Sequence, residues 1–107
     1  MPSNPFLKTV TLTAANTNYS LLTLMQALDP GQTGRLCKLT IQSDSGNGAA
    51  NLYIGNEDLS GTNYGSHLVA SQAVVFETVS MNLVNASQIY LRSDTNATKV
   101  NILALQQ

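Results

Sequence analysis

The sequence contains very few charged residues. Asp, Glu, Lys and Arg make up only 10% of its 107 residues, and the net charge is -1, whereas about 25% of an average globular protein is charged. A protein that binds nucleic acid needs a basic surface to neutralise phosphates, and a solvated tail needs a block of like charge. Because the sequence has neither, we expect no nucleic-acid partner and no charged tail.

Cysteine and histidine occur once each, as Cys37 and His67. One cysteine forms no disulfide within the chain, and a structural zinc site needs four ligands. A serine-type triad would place His67 beside an oriented carboxylate and a nucleophile, but the residues around it lack the Gly-x-Ser-x-Gly turn. Cys37 lies in an apolar run, where burial disfavours the reactive thiolate. We therefore expect a buried Cys37, a structural or surface His67, no cofactor and no enzyme activity.

The few acidic residues match no familiar metal or glycosidase pattern. The turn at residues 44–48 has Asp, Asn and Gly, but it lacks the alternating acids and the closing Glu of a calcium loop, and these residue types also favour turns for backbone reasons. Whether a cation binds there or at residues 57–58 stays open. The carboxylates available for paired acid chemistry lie mostly in turn-like stretches: Asp44, Glu57, Asp58, Glu77 and Asp94.

Tryptophan and long apolar runs are also missing. No run approaches the roughly 18 residues of a membrane span, and residues 1–5 lack the basic and apolar regions of a signal peptide, so we expect no membrane partner. The tyrosines are few and scattered along the sequence, as Tyr19, Tyr53, Tyr64 and Tyr90. Sugar-binding domains use aromatic faces for stacking, so this scarcity counts against a carbohydrate-binding module without excluding one.

Asparagine, serine and threonine are abundant instead, at about 30% of the chain. Amide and hydroxyl side chains keep a surface wet and can bond to a close neighbour without the cost of burying a charge. Such a surface suits a protein packed densely among copies of itself. A stable β-domain from a secreted source would have a similar composition.

Short alternating runs predict several β-strands. In residues 7–13, Val10 and Leu12 share a face, and in residues 36–43, Cys37, Leu39 and Ile41 do so. Residues 50–54 repeat the pattern after a Gly-containing loop, so these two runs predict a β-hairpin. Further strands are predicted at residues 73–79, buried on both faces, at residues 89–92 and at residues 100–104.

One segment has helical spacing. Leu21, Leu24, Met25 and Leu28 follow the i, i+3, i+4, i+7 pattern, with Ser20 as an N-cap. The whole pattern predicts an all-β fold, an antiparallel β-sandwich of jelly-roll type with one short helix near residues 21–28. Residues 7–107 form the single sandwich domain. Residues 1–6, which contain two prolines, form an extended N-terminal arm.

Three segments resemble small virion proteins of tailed bacteriophages. They are Asn51-Leu52-Tyr53-Ile54-Gly55, then Asn63-Tyr64-Gly65-Ser66-His67-Leu68, and then Val74-Val75-Phe76, followed by the late strand Gln88-Ile89-Tyr90-Leu91. Together they read as a strand ending in Ile-Gly, a polar loop, Gly-x-x-Leu and a further strand. The resemblance extends over roughly residues 36–105, and the group it points to is the capsid decoration, or cement, proteins.

The resemblance implies a function without catalytic residues. Cement proteins are small β-rich domains, often homotrimers, that bind the outer surface of the major capsid protein, so the chain would be made in the host cytoplasm and end up on the virion. Their N-terminal arms make contacts, which assigns that role here to Met1, Pro2, Ser3, Asn4, Pro5 and Phe6. This arm is shorter than in some members. Another phage part, such as a tail, fibre or connector domain, and a carbohydrate-binding adhesion module remain the alternatives.

Overall fold

The chain folds into two antiparallel sheets that pack against each other. The computed structural model describes residues 5–77 and 84–106. Its elements are β1 (Phe6–Leu12), β2 (Tyr19–Ser20), α1 (Leu21–Leu28), β3 (Arg35–Ser43), β4 (Leu52–Gly55), β5 (Ser66–Leu68), β6 (Ala73–Glu77), β7 (Val84–Asn85), β8 (Tyr90–Ser93) and β9 (Thr98–Gln106). The expected all-β sandwich with one short helix is confirmed.

Sheet A has the strand order β1-β9-β3-β6, with β7 also pairing with β3, and sheet B has the order β2-β8-β4-β5. Along the described strands, the chain changes sheet between β1 and β2, β2 and β3, β3 and β4, β5 and β6, β7 and β8, and β8 and β9. The expected jelly-roll connectivity stays a prediction, which this repeated switching favours.

The core lies between the sheets and follows the alternation of the strands. Val10 and Leu12 of β1, Leu39 and Ile41 of β3, and Leu91 of β8 are all buried in it. Outward neighbours on the same strands are polar or exposed. Helix α1 covers one end of this core with Leu21 and Met25, as its spacing predicts, although Ser20 makes no side-chain cap bond.

The predicted hairpin of residues 36–43 and 50–54 is wrong. The two strands belong to different sheets, since β3 pairs with β6, β7 and β9, whereas β4 pairs with β5 and β8. The intervening loop crosses the edge of the sandwich in a 3-10 turn at Ser45–Asn47. Asn47 fixes the crossing, because its side chain donates to Ser43 and to the carbonyl oxygen of Lys99.

The expectation that residues 73–79 are buried on both faces is also wrong. Strand β6 belongs to one sheet of a two-layer sandwich, so only one of its faces meets the core: Val74 and Phe76 pack on the core, but Val75 on the outer face is 51% exposed. Residues 78 and 79 lie outside the described residues.

A β-bulge at the start of β3 changes which residues there face the core, so the prediction that Cys37 faces inward is wrong. The pairing with β9 passes from Leu36 opposite Gln106 to Lys38 opposite Leu105, which leaves Cys37 as the extra residue. Leu36 is therefore buried in the core, and Cys37 is only half-buried, with its Sγ 3.3 Å from the carbonyl oxygen of Leu105.

The boundary of the N-terminal arm also needs correction at one residue. Phe6 begins β1, lies opposite Ala104 and is 1% exposed, so it is a core residue that cannot make arm contacts. The next residue, Leu7, is 60% exposed, because it faces away from sheet B. Among the described residues, no helix is both long and apolar enough to cross a membrane.

Candidate binding surfaces

The outer face of sheet A carries a band of exposed aliphatic side chains. Leu7 lies opposite Leu103, Leu103 lies opposite Thr40, and Thr40 lies opposite Val75, so the band runs across β1, β9, β3 and β6. Leu105 extends it along β9 and is also exposed. We call the set Leu7, Leu103, Leu105 and Val75 the aliphatic face.

A row of uncharged polar side chains lies beside the aliphatic face. Thr9 donates to the Oδ1 of Asn101 at 2.7 Å, and the Nδ2 of Asn101 donates to the Oε1 of Gln42 at 3.2 Å. The side chains in this row thus bond to one another across three strands. Such a surface combines apolar area with polar groups that already have partners, which lowers the cost of removing it from water.

The outer face of sheet B has a different chemistry, since three rings meet there. Tyr53 on β4 lies opposite His67 on β5, and their ring centroids are 5.0 Å apart with the planes nearly parallel, at 21°. Tyr64 lies 4.8 Å from Tyr53 and meets His67 edge-on at 5.8 Å. We call these three residues the aromatic cluster.

The loop before β5 holds Tyr64 in this position. Leu59 is buried and anchors the loop against β4, where the absence of a side chain on Gly55 makes room: a Cβ there would come within 3.0 Å of Leu59. The N–H of Gly65 then donates to the carbonyl oxygen of Ile54 at 2.8 Å. Tyr64 is therefore placed over β4 by the backbone on both sides of it.

A hydrogen-bond chain fixes the imidazole of His67. The backbone N–H and the Nδ2 of Asn51 both donate to the carboxylate of Asp94, at 2.9 and 2.7 Å. These bonds leave the Oδ1 of Asn51 to accept from the Nε2 of His67 at 2.7 Å, so Nε2 carries the proton. The two donated bonds also hold the pKa of the Asp94 carboxyl below its ordinary value.

A cationic side chain flanks the cluster on its other side. Arg92 on β8 lies opposite Tyr53 and donates to the Oδ1 of Asn18 at 3.1 Å, while the Nδ2 of Asn18 donates to the carbonyl oxygen of Leu59. The bond to Asn18 orients the guanidinium on the strand next to Tyr53, and its other N–H groups can donate to a ligand.

The residues singled out from the sequence are mostly kept apart. Met1 to Asn4 lie outside the described residues, and Pro5 is exposed. Cys37 and His67 lie in different sheets, so they form no thiol–imidazole pair. Over residues 5–77 and 84–106, no group of three or more His, Cys, Asp or Glu residues could hold a metal ion.

In the acidic turn at residues 44–48, the carboxylate of Asp44 is already hydrogen-bonded to other groups of the protein. Asp44 accepts from the backbone N–H of Gly46 and from the Nδ2 of Asn101, which lowers the pKa of its carboxyl. This carboxylate caps the short turn that carries the chain between the sheets.

The interpretation of the tyrosines as scattered is wrong for two of them. Tyr53 and Tyr64 are eleven positions apart in sequence, yet the pairing of β4 with β5 brings both rings to His67. The available signal was that Tyr53 and His67 alternate with buried Leu52, Ile54 and Leu68, so both had to point outward.

No protein-family model matches the chain, and no curated protein and no solved structure matches it either.

Proposed function

We propose that this chain is a capsid decoration protein of a tailed bacteriophage, which associates with copies of itself as a homotrimer and binds the outer surface of the major capsid protein. The observation that carries the self-association is the aliphatic face. The assignment to the capsid rests on the resemblance of residues 51–55, 63–68, 74–76 and 88–91 to cement proteins. The proposed role is non-catalytic.

The aliphatic face supports contact with another protein surface. Single exposed leucines are common on proteins, but adjacent ones on a flat sheet are typical of an interaction site. Leu7 and Leu103 are direct neighbours across β1 and β9, and Leu105 is two residues further along β9. The near absence of net charge on the chain removes the long-range repulsion that would oppose packing of identical copies.

The outer face of sheet A is smaller than a standard interface, so a stable contact would need additional residues outside the sheet. Four strands about 4.8 Å apart and about 24 Å long give a plane of roughly 400 Å². A standard interface buries about 800 Å² on each partner. Pro5, which is exposed, precedes the core residue Phe6 at the end of sheet A where Leu7 lies, and the proposal assigns the additional contact to the arm that Pro5 belongs to.

Light scattering on size-separated protein tests the self-association. The wild type is expected at three times the 11.4 kDa chain mass. Leu7→Asp combined with Leu103→Asp places two charges in the contact and is expected to weaken association at least about tenfold. Leu7→Asp alone is compared with Thr11→Asp as its matched control, since each adds one negative charge to β1 and Thr11 lies away from the aliphatic band. A monomeric wild type, or a double variant that stays trimeric, would contradict the proposal.

Co-sedimentation with shells assembled from major capsid proteins of tailed bacteriophages tests the capsid assignment. Wild-type protein is expected to pellet with the shells, and deletion of residues 1–4 is expected to weaken binding without lowering the melting temperature. The deletion stops before Phe6 because removing that buried ring would damage the core. A trimer that binds tails instead of shells would identify another phage structural component.

A further inference from the structure

The outer face of sheet B, which self-association through sheet A leaves uncovered, carries a second surface. Tyr64 is 44% exposed, so much of its ring is in solvent. Beneath it, the rings of Tyr53 and His67 stack on each other and support it. The result is an open aromatic surface and not a buried packing contact.

We propose that the aromatic cluster binds a neutral oligosaccharide, with a pyranose ring stacked on Tyr64 and its hydroxyl groups bonded to Arg92 and His67. The C–H face of a pyranose is apolar and slightly positive, and it fits the negative face of an aromatic ring. This site goes beyond the proposed capsid role and depends on a different face of the molecule.

The polar groups beside the rings include both hydrogen-bond donors and an acceptor, which is what the hydroxyl groups of a sugar need. Arg92 lies across the strand pair from Tyr53 and presents a planar set of donors, which suits neighbouring hydroxyl groups. The proton on Nε2 of His67 is committed to Asn51, so in the neutral ring Nδ1 is an acceptor. No partner for Nδ1 is found among residues 5–77 and 84–106. Arg92 therefore offers hydrogen-bond donors on one side of the cluster, and the Nδ1 of His67 offers an acceptor on the other.

The site is already organised before a ligand arrives. Asp94 fixes Asn51, Asn51 fixes His67, and His67 stacks on Tyr53. Arg92 is held by Asn18, and the loop that carries Tyr64 is anchored by buried Leu59. Because these side chains lose little freedom on binding, a weak stacking contact can contribute to affinity in full.

Size and charge favour a sugar over a protein or a nucleic acid. Three rings and their flanking residues occupy far less than the roughly 800 Å² per partner of a standard protein interface. Single-stranded nucleic acid also stacks on aromatic rings, but its binding depends on a positively charged groove. Here Arg92 and Asp94 flank the rings with opposite charges, so the patch is close to neutral.

A glycan array followed by titration calorimetry tests the site on the full chain. The soluble probes are maltohexaose, cellohexaose and chitohexaose, and the competing probe is a short oligothymidylate. Monovalent sugars are used so that avidity in a trimer does not enter the comparison. Binding of at least one neutral glycan, with an affinity that is insensitive to salt, is expected.

Variants of Tyr64 assign the binding to the cluster. Tyr64→Ala is expected to lower the affinity about fivefold to tenfold, and Tyr64→Phe is expected to bind as the wild type does, because it keeps the ring. Both substitutions lie in an exposed position, and their melting temperatures check the fold. The Leu7→Asp, Leu103→Asp protein is the second control: it should lose self-association and keep sugar binding.

Three results would overturn the proposal: no binding to any neutral glycan, full binding by a folded Tyr64→Ala protein, or binding of oligothymidylate in place of the sugars. None of them bears on whether the wild type is a trimer. Failure of the sugar site and failure of the capsid proposal are therefore separate outcomes.

Discussion

The two outer faces of the sandwich differ in how their side chains relate to one another. On sheet A, Leu7 and Leu103 are neighbours across β1 and β9, and Val75 lies on β6 beyond Thr40. Their exposed apolar area is what makes the face suitable for contact. On sheet B, Tyr53 and His67 are joined by stacking and hydrogen bonds into a fixed arrangement. On both sheets, the alternation of the strands places apolar residues on the inner face. It does not determine which residue types lie on the outer faces, and these differ.

The difference indicates two modes of recognition on one scaffold. An aliphatic face gains free energy in proportion to the apolar area that it removes from water, so it suits a large and flat partner. A fixed set of rings and donors gains from orientation, so it suits a small ligand. Substitutions can test whether the two faces are independent.

The largest effect is expected from a core residue that serves both faces. Leu39 on the central strand β3 is fully buried, with Phe76 opposite it on one side and Ala104 on the other. Leu39→Ala should lower the free energy of unfolding by about 2–5 kcal/mol, measured by denaturant unfolding at fixed protein concentration.

A matched substitution sets the scale for Leu39→Ala. Thr11→Ala changes an exposed position on β1, and it should alter stability by less than about 0.5 kcal/mol. Both self-association and sugar binding should fall together in Leu39→Ala as the folded fraction falls. Loss of one function with the other intact would show that the faces do not share one folding unit.

An intermediate effect is expected from Asn51→Ala, which acts on sheet B alone. It removes the acceptor for the Nε2 of His67 and one donor to Asp94, at a cost of about 1 kcal/mol in stability. The imidazole then loses its fixed tautomer, which nitrogen-15 NMR of His67 reports directly. Sugar affinity should fall about threefold, and the trimer should be unchanged.

Asn47→Ala is the control for this substitution. Asn47 also bonds to two partners through its amide, namely Ser43 and Lys99, but it lies at the crossing loop. It should cost similar stability without changing the NMR signals of His67. If both variants shift those signals alike, the effect is global and the hydrogen-bond chain has no special role.

The smallest effect is expected from acid titration of two carboxylates, Asp44 at the crossing loop and Asp94 beside Asn51. Donated hydrogen bonds lower the pKa of Asp94 and of Asp44 below the ordinary value of 3.8. The ionised form is thus favoured in the folded chain, so the stability it contributes is present above pH 3.8 and is lost as the pH falls through the folded pKa.

Melting temperatures between neutral pH and pH 2 measure this contribution. Asp94→Asn and Asp44→Asn should each be slightly less stable at neutral pH and should each lose less on acidification than the wild type. Only Asp94→Asn should also shift the NMR signals of His67. A wild-type acid slope in both variants would mean that other groups control the acid sensitivity.

The sequence predicts the layout of the core better than the pairing of strands. Alternation at Val10, Leu12, Leu39 and Ile41 correctly separates inside from outside, and the spacing from Leu21 correctly predicts α1. Alternation carries no information about which sheet a strand joins, which is why the hairpin of β3 and β4 was wrong. Alternation is also absent at Val74, Val75 and Phe76, which are all apolar, so the exposure of Val75 was missed.

The candidate sites depend on the same missing information. The aliphatic face requires that β1 pair with β9, since Leu7 and Leu103 are far apart in sequence. The aromatic cluster requires that β4 pair with β5 and that the loop fold back on Gly55. Sequence reasoning could show that Tyr53 and His67 face outward, but not that they meet.

The pairing of β1 with β9 has a practical consequence for engineering. Since Phe6 lies opposite Ala104, β1 begins and β9 ends at the same end of sheet A, near Leu7. A tag on either end would therefore emerge next to the aliphatic face. Joining the ends by a short peptide and reopening the chain at the exposed Pro30 and Gly31 would preserve every strand pair and clear that face.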